Sequence, residues 1–182
     1  IPIKTASYSN EDGIFNSDNE YLTIINTARV KRMELMDCYD LRRNLLDIER
    51  DSLFLLDQEL KKYKAEKGLK DFTDLLEEFI ERDIAPKLKV LFIDEAQDLS
   101  HLQWEMVRSI WNKAEKTYIA GDDDQAIFRW AGADIDHFIA LKNEVDEIQT
   151  LKQSYRIPGG PIHELSQKII SKVTNRYEKT YN

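Results

Sequence analysis

Asp94 and Glu95 stand side by side at the end of an apolar run, Val90-Leu91-Phe92-Ile93, and Gln97 and Asp98 follow at once. An unbroken apolar run of this length reads as a strand buried in a parallel sheet. Ligands bind at the carboxyl edge of such sheets, so the two carboxylates would emerge at the mouth of a site. There one carboxylate can hold Mg²⁺, largely through water, while its neighbour orients or deprotonates an attacking water. Taken alone, the pair also fits a solvated turn before a helix from His101 to Ala114, capped by Asp98 or Ser100.

Two further groups favour the chemical reading. A second apolar strand, Thr117-Tyr118-Ile119-Ala120, runs into Gly121 and the acidic triplet Asp122-Asp123-Asp124, then Gln125. Gly121 permits a sharp exit from the strand, and the triplet repels itself unless a cation, helix amides or water compensates it. Gln125 offers a donor and an acceptor with which to sense a phosphate or place a water. Phe128 and Trp130 could stack on bases, with Arg129 between them for a phosphate or cation–π contact. Packing into the core is the alternative for these aromatics, and for Phe128 by itself it is preferred. A third strand, Glu147 to Leu151, leads to Tyr155 and Arg156, a flat face for a nucleobase and a guanidinium for charge on a transferring phosphoryl group.

The elements that must position these groups are legible as periodicities. Strands separated by helices become parallel through right-handed crossovers, which predicts an α/β fold with Asp94, Gln125 and Tyr155–Arg156 at one sheet edge. Trp104, Val107 and Trp111 repeat at three and four residues, as core positions of the helix between the first two strands. From about Tyr21 to Lys67 the pattern is helical, with Leu41, Leu45, Ile48, Phe54, Leu55 and Leu60 at helix-compatible spacing and Gly68 as the stop. Phe72, Leu75, Leu76, Phe79 and Ile80 form another apolar stripe that ends near Pro86. Beyond the break Pro158-Gly159-Gly160-Pro161, Ile162, Leu165, Ile169 and Val173 mark a last helix. Residues 1 to 20, rich in Ser, Asn, Asp and Glu, read as loosely ordered.

Composition bounds the partners. A 42% hydrophobic content over 182 residues suffices for a core, while a net charge of −8 is a poor global match to a polyanion. Lys61, Lys62, Lys64, Lys67 and Lys70 read as a solvated helix end in preference to a nucleic-acid track. Cys38 is the lone cysteine, fit for packing in a reducing compartment, and His101, His137 and His163 are too scattered to suggest a metal site. Neither a secretory leader nor a long apolar span occurs, so a cytoplasmic protein with no membrane partner is the expectation.

With these residues assembled, the chain resembles the UvrD/Rep/PcrA-like superfamily 1 helicases. Asp94-Glu95-Ala96-Gln97-Asp98 is similar to the family's Walker B motif, Gly121 to Ala133 to its third motif, and Leu151 to Arg156 to its fourth. Asp71 to Leu76 resembles the re-entry into the first motor domain, and Asn175, Arg176 and Lys179 match a weaker pattern expected on the helix after the fourth motif. The resemblance implies a partial RecA-like parallel sheet with flanking helices and a helical inserted subdomain. It divides the chain into 1–69 as that subdomain, 70–153 as the later part of the first motor domain, and 154–182 as the fourth motif and the start of the second.

The function so implied is ATP-dependent, 3′ to 5′ movement along single-stranded DNA, with ATP and Mg²⁺ as cofactors and single-stranded DNA, or a duplex with a single-stranded tail, as partner. Asp94 would coordinate Mg²⁺ with Glu95 beside it as general base. Gln97 and Asp98 would couple nucleotide state to the DNA site. Gln125 and Arg156 would touch the γ-phosphate, Tyr155 would stack on adenine, and Trp130, with Phe128 and Arg129 nearby, would stack on single-stranded bases. The motor part of a helicase–nuclease and an inactive binding module of the same fold are the two alternatives. The chain departs from the pattern twice. Ala131 stands where the family has Arg, and none of Gly13, Gly68, Gly121, Gly132, Gly159 or Gly160 belongs to a Gly-Lys-Ser/Thr phosphate loop. With Ile1 in place of an initiator Met, this reads as an internal excerpt of a longer helicase that would not hydrolyse ATP alone.

Overall fold

The computed structural model describes residues 19–45, 47–155, 157 and 159–179. Most of the polar stretch 1 to 20 therefore lies outside the described residues. The helical region is three helices: α1 (Glu20–Val30), α2 (Leu35–Arg42) and α3 (Arg50–Lys67). The Asn19 side chain caps α1 by accepting from the amides of Tyr21 and Leu22. Gly68, at φ 62, ends α3 in the left-handed conformation that glycine adopts without strain. Ile24, Ile25, Ala28, Cys38 and Leu53 form the core shared by these helices. Leu41, Leu45, Phe54 and Leu55, which share the helical spacing, are exposed instead.

α4 (Phe72–Glu81) starts at a reciprocal capping box between Asp71 and Asp74. Arg29 reaches from α1 to both of these carboxylates and to Glu77, and Lys64 of α3 joins them at Asp71 and Asp74. Ion pairs and a Thr73–Asn26 hydrogen bond of 2.9 Å thus fasten α4 to α1, while apolar Phe72 and Leu75 remain exposed.

The α/β part is built from β1 (Leu88–Ile93), α5 (His101–Trp111) and β2 (Ala114–Ile119), with β1 and β2 parallel and Phe92 opposite Tyr118. α5 begins at Ser100, whose hydroxyl accepts from the Gln103 amide while Gln103 returns a bond to the Ser100 amide. It ends at Trp111, three residues before the expected Ala114, because Ala114 already pairs with Leu88 across the sheet. One sheet face turns Ile93 and Ile119 onto a core of Ala96, Trp104, Val107 and Leu141. On the other face Phe92 and Tyr118 are exposed and stack on each other at 5.1 Å between ring centres.

Two expectations fail. Glu147 to Leu151 is not a third strand, and the sheet has two strands among the described residues. A strand exists through its ladder partner, and among the described residues this segment has none, while its Ile148 and Leu151 are exposed. The last helix, α7 (Pro161–Ile170), stops before Asn175, Arg176 and Lys179, which lie on non-helical chain. α6 (Ile135–Ala140) packs between the loop that follows β2 and the sheet core, which its Phe138 joins.

Candidate functional site

Asp94 and Glu95 leave β1 at its carboxyl end and are both exposed. Asp94 accepts the Glu95 amide at 2.9 Å, and Glu95 adopts φ 51, a left-handed conformation that strains a residue with a side chain. The two strand ends stay joined beyond the regular ladder, since Ala120 donates to the Ile93 carbonyl at 2.8 Å and Ala96 to the Ala120 carbonyl at 3.0 Å.

Gln97 completes the junction. It is 1% exposed. Its Nε2 donates to Glu95 Oε2 at 2.8 Å and to Asp98 Oδ2 at 3.3 Å, and its Oε1 accepts the Asp122 amide at 2.9 Å. One buried amide therefore fixes the first loop's carboxylates relative to the second loop. Gly121 makes room for it: a Cβ there would lie 2.7 Å from Gln97 Oε1 and 2.8 Å from Phe138 Cζ. Close approach, and not a sharp exit from the strand, is what requires glycine at this position.

After Gly121 the Asp122 side chain accepts the Asp124 amide at 3.2 Å, and Gln125 Nε2 donates to Asp122 Oδ2 at 2.7 Å. The compensation that the acidic triplet needs comes from the chain itself. Lys179 Nζ lies 2.7 Å from Asp122 and also pairs with Asp123; Arg176 makes a bidentate bond to Asp124, with Nε at 2.8 Å; and the Tyr177 amide donates to Asp123 at 2.6 Å. Burial opposes the charge on Lys179, but its bonds to Asp122 and Asp123 outweigh this and push its pKa to about 12. Burial would likewise raise the Asp122 carboxyl, yet Lys179 and Gln125 hold it below the usual carboxylate value. Sequence reasoning noted Asn175, Arg176 and Lys179 but did not join them to the triplet. The demand for a cation was the signal that could have done so.

Arg129 and Asn175 both bind Asp136, each at 2.5 Å, so Arg129 is held from the loop's far side. Phe128 is half-buried and precedes the 3₁₀ turn Arg129–Ala131. Trp130 lies in that turn, but its side chain is outside the described residues. Asp134 donates its amide to the Leu99 carbonyl at 2.8 Å, which docks this loop against the start of α5. Tyr155 is 91% exposed, and the hydrogen bonds of neighbouring Gln153, Ser154 and Ile157 are local. Arg156 lies outside the described residues. The structure thus joins the surroundings of Asp94, Glu95, Gln97, Asp98 and Gln125, and it does not bring Tyr155 to them on a strand.

No cluster of three or more metal-ligating side chains occurs among the described residues. Asp94 and Glu95 are two hard oxygen donors open to solvent, which suits Mg²⁺, an ion that takes one or two carboxylates and completes its shell with water and phosphate. No helix among the described residues is long and apolar enough to cross a membrane.

Comparison with known proteins bears on the same stretch. The family model of the UvrD/REP helicase N-terminal domain matches residues 7–146. The ATP-dependent DNA helicase Rep of Buchnera aphidicola subsp. Baizongia pistaciae is 32% identical over 95 residues, covering 51% of this chain and 14% of that protein. Rep of Buchnera aphidicola subsp. Schizaphis graminum is 26% identical over 144 residues, or 73% of this chain and 22% of its own length. The ATP-dependent DNA helicase PcrA of Staphylococcus epidermidis is 35% identical over 72 residues, which is 38% of this chain and 10% of the helicase. The chain thus spans a small part of the relatives it matches.

Proposed function

The chain belongs to the UvrD/REP helicase N-terminal domain family, and on that premise we propose that it supplies the hydrolytic and coupling loops of an ATP-driven motor on single-stranded DNA, moving 3′ to 5′. In this reading the sheet is the later part of a RecA-like domain, residues 1–69 are its helical inserted subdomain, and residues 154–182 begin a second motor domain. The observation that carries the reading is Gln97, one buried amide bonded both to Glu95 and to the backbone of the loop that holds Gln125.

The fixed geometry suits phosphoryl transfer, where positioning and charge compensation do most of the catalytic work. Bound by Asp94, Mg²⁺ would supply charge neutralisation at the phosphates. Glu95 accepts a proton from the attacking water, its carboxylate steered by the Gln97 amide. Gln125 donates toward the terminal phosphate from the far loop, and Arg156 and Tyr155 contact phosphate and adenine. Movement of the Gln125 loop is felt at Glu95 through Gln97, and at Phe128, Arg129 and Trp130, the candidate DNA contacts, through the chain that follows. A phosphate loop is not among these 182 residues, so the complete motor supplies it from elsewhere.

Glu95→Gln in that complete motor tests the reading. DNA-stimulated phosphate release should fall about 10²-fold or more, the scale of a lost general base. Binding of a fluorescent ATP analogue should persist, because the pocket remains. Turnover at the parental rate refutes the role of Glu95, whereas loss of analogue binding assigns it a structural one.

A further inference from the structure

Gln125 is exposed, yet its amide is held in one place by the Asp122 carboxylate, and Asp122 is itself held by a residue far along the chain. We propose that Lys179 is a positioning residue for Gln125, acting through Asp122: Lys179 Nζ sits 2.7 Å from Asp122 Oδ1 while Gln125 Nε2 donates to Asp122 Oδ2 at 2.7 Å. The inference rests on the reading of Gln125 as a phosphate contact and names what aims it.

Lys179 is not needed to close the turn. The backbone is already set by Gln125 N on the Asp122 carbonyl at 2.9 Å and Ala126 N on the Asp123 carbonyl at 3.3 Å, and by the bonds of Arg176 to Asp124 and of the Tyr177 amide to Asp123. What Lys179 adds is charge, at the one carboxylate that grips Gln125. The Lys179 side chain is 7% exposed, so this pairing is little screened by solvent. Without it, Arg176 is the one cation among the described residues that pairs with the three adjacent carboxylates, and the charge that steadies Asp122 beside Asp123 is lost. Gln125 would then lose its anchor. The net negative turn would also oppose a triphosphate approaching the Glu95 side of the loop, an opposition that the buried ammonium removes. A single path, Lys179 to Asp122 to Gln97 to Glu95, runs through bonds of 2.7, 2.9 and 2.8 Å and brings residue 179 into the same network as the proposed base.

The test is steady-state ATP turnover with saturating single-stranded DNA, in the complete motor that contains this chain. Lys179→Met, Lys179→Arg, Gln125→Ala and the Lys179→Met/Gln125→Ala pair are compared. Lys179→Met should lower kcat about tenfold with KM for ATP changed less than about twofold, the mark of an interaction that matters in the transition state. Lys179→Arg should restore most of the rate, and the double variant should be no slower than Gln125→Ala, because both changes remove one device. Multiplicative losses, or a lowered melting temperature with unchanged kcat, overturn the proposal. If Lys179→Met does not fold, Asp122→Asn decides: it keeps the shape but not the charge pair, and a normal kcat overturns the proposal while a tenfold loss supports it. Normal turnover in Gln125→Ala refutes the phosphate role of Gln125 and the relay together. Slow Gln125→Ala beside normal Lys179→Met refutes the relay alone.

Discussion

Replacing Gln97 with Leu removes the amide that joins the two loops and alters side-chain volume little. Two effects follow. The Asp122 amide loses its acceptor at 2.9 Å, and the carboxylates of Glu95 and Asp98 lose their shared donor at 2.8 and 3.3 Å. Glu95 is exposed and recovers its bond from water, so the larger loss is the backbone amide beside a buried leucine, which costs about 1–3 kcal/mol. For a chain of this size each kcal/mol lowers the melting temperature by roughly 2–4 °C, which places the expected drop at roughly 2–12 °C. Circular dichroism melts of the chain read this directly. Phosphate release by the complete motor reads the second consequence, because loops no longer registered by Gln97 should turn over ATP at a fraction of the parental rate even where the protein is fully folded. Gln97→Glu is the informative companion: it keeps an acceptor for the Asp122 amide but puts a third carboxylate beside Glu95 and Asp98, so its stability should recover as pH falls and that carboxylate protonates. A Leu variant that melts within a degree of the parent and hydrolyses ATP normally refutes the view that this amide connects the site.

Three other outcomes are expected. Lys179, raised from 10.5 to about 12, contributes stability that is complete below pH 10.5 and lost as pH rises through about 12, whereas Asp122, lowered below 3.8, contributes stability present above 3.8 and lost as pH falls through its lowered value. The melting-temperature difference between the parent and Lys179→Met should therefore shrink at both extremes, and a constant difference up to pH 12 contradicts the pairing. Phe92→Lys, on the sheet face where Phe92 is 75% exposed, should change stability by about 0.5 kcal/mol or less in thermal melts; a loss of several kcal/mol means that this face is covered. Trp130→Ala in the complete motor should weaken single-strand binding by about 1–3 kcal/mol with the melting temperature nearly unchanged, and early unfolding with normal DNA binding assigns Trp130 to the core instead.

What was legible in the sequence is what is written locally. The apolar run ending in Asp94–Glu95, the helix cap, which is Ser100 of the two residues considered, and the Gly68 stop each depend on a few consecutive residues and stand at the expected positions; the run is a parallel strand, but with Val90 and Phe92 exposed it is not the buried strand its unbroken apolar pattern suggested. The break after α1 was not legible, because it has neither Gly nor Pro: Arg32 takes φ 54 there without either residue as a signal. The third strand was misread because apolar pattern shows what can be a strand, whereas pairing decides what is one. Contacts across the chain were the least accessible. Gln97 meets residue 122 across 25 positions with no signal in the sequence, and Lys179 meets residue 123 across 56, where the uncompensated triplet showed the need without showing the partner.

The left-handed backbone at Glu95 has a consequence for how the position can drift over generations. A side chain at that φ costs about 1 kcal/mol relative to glycine, so the easiest stabilising change available to this loop is one that deletes the carboxylate. Random substitution filtered for folding alone would push residue 95 toward glycine or asparagine, and a lineage released from hydrolysing nucleotide would be expected to lose Glu95 early. Glutamate standing there works against the gradient of stability, and on the role proposed for Glu95, copies of this gene that carry glycine at 95 would be the first place to look for descendants that keep the fold without that role.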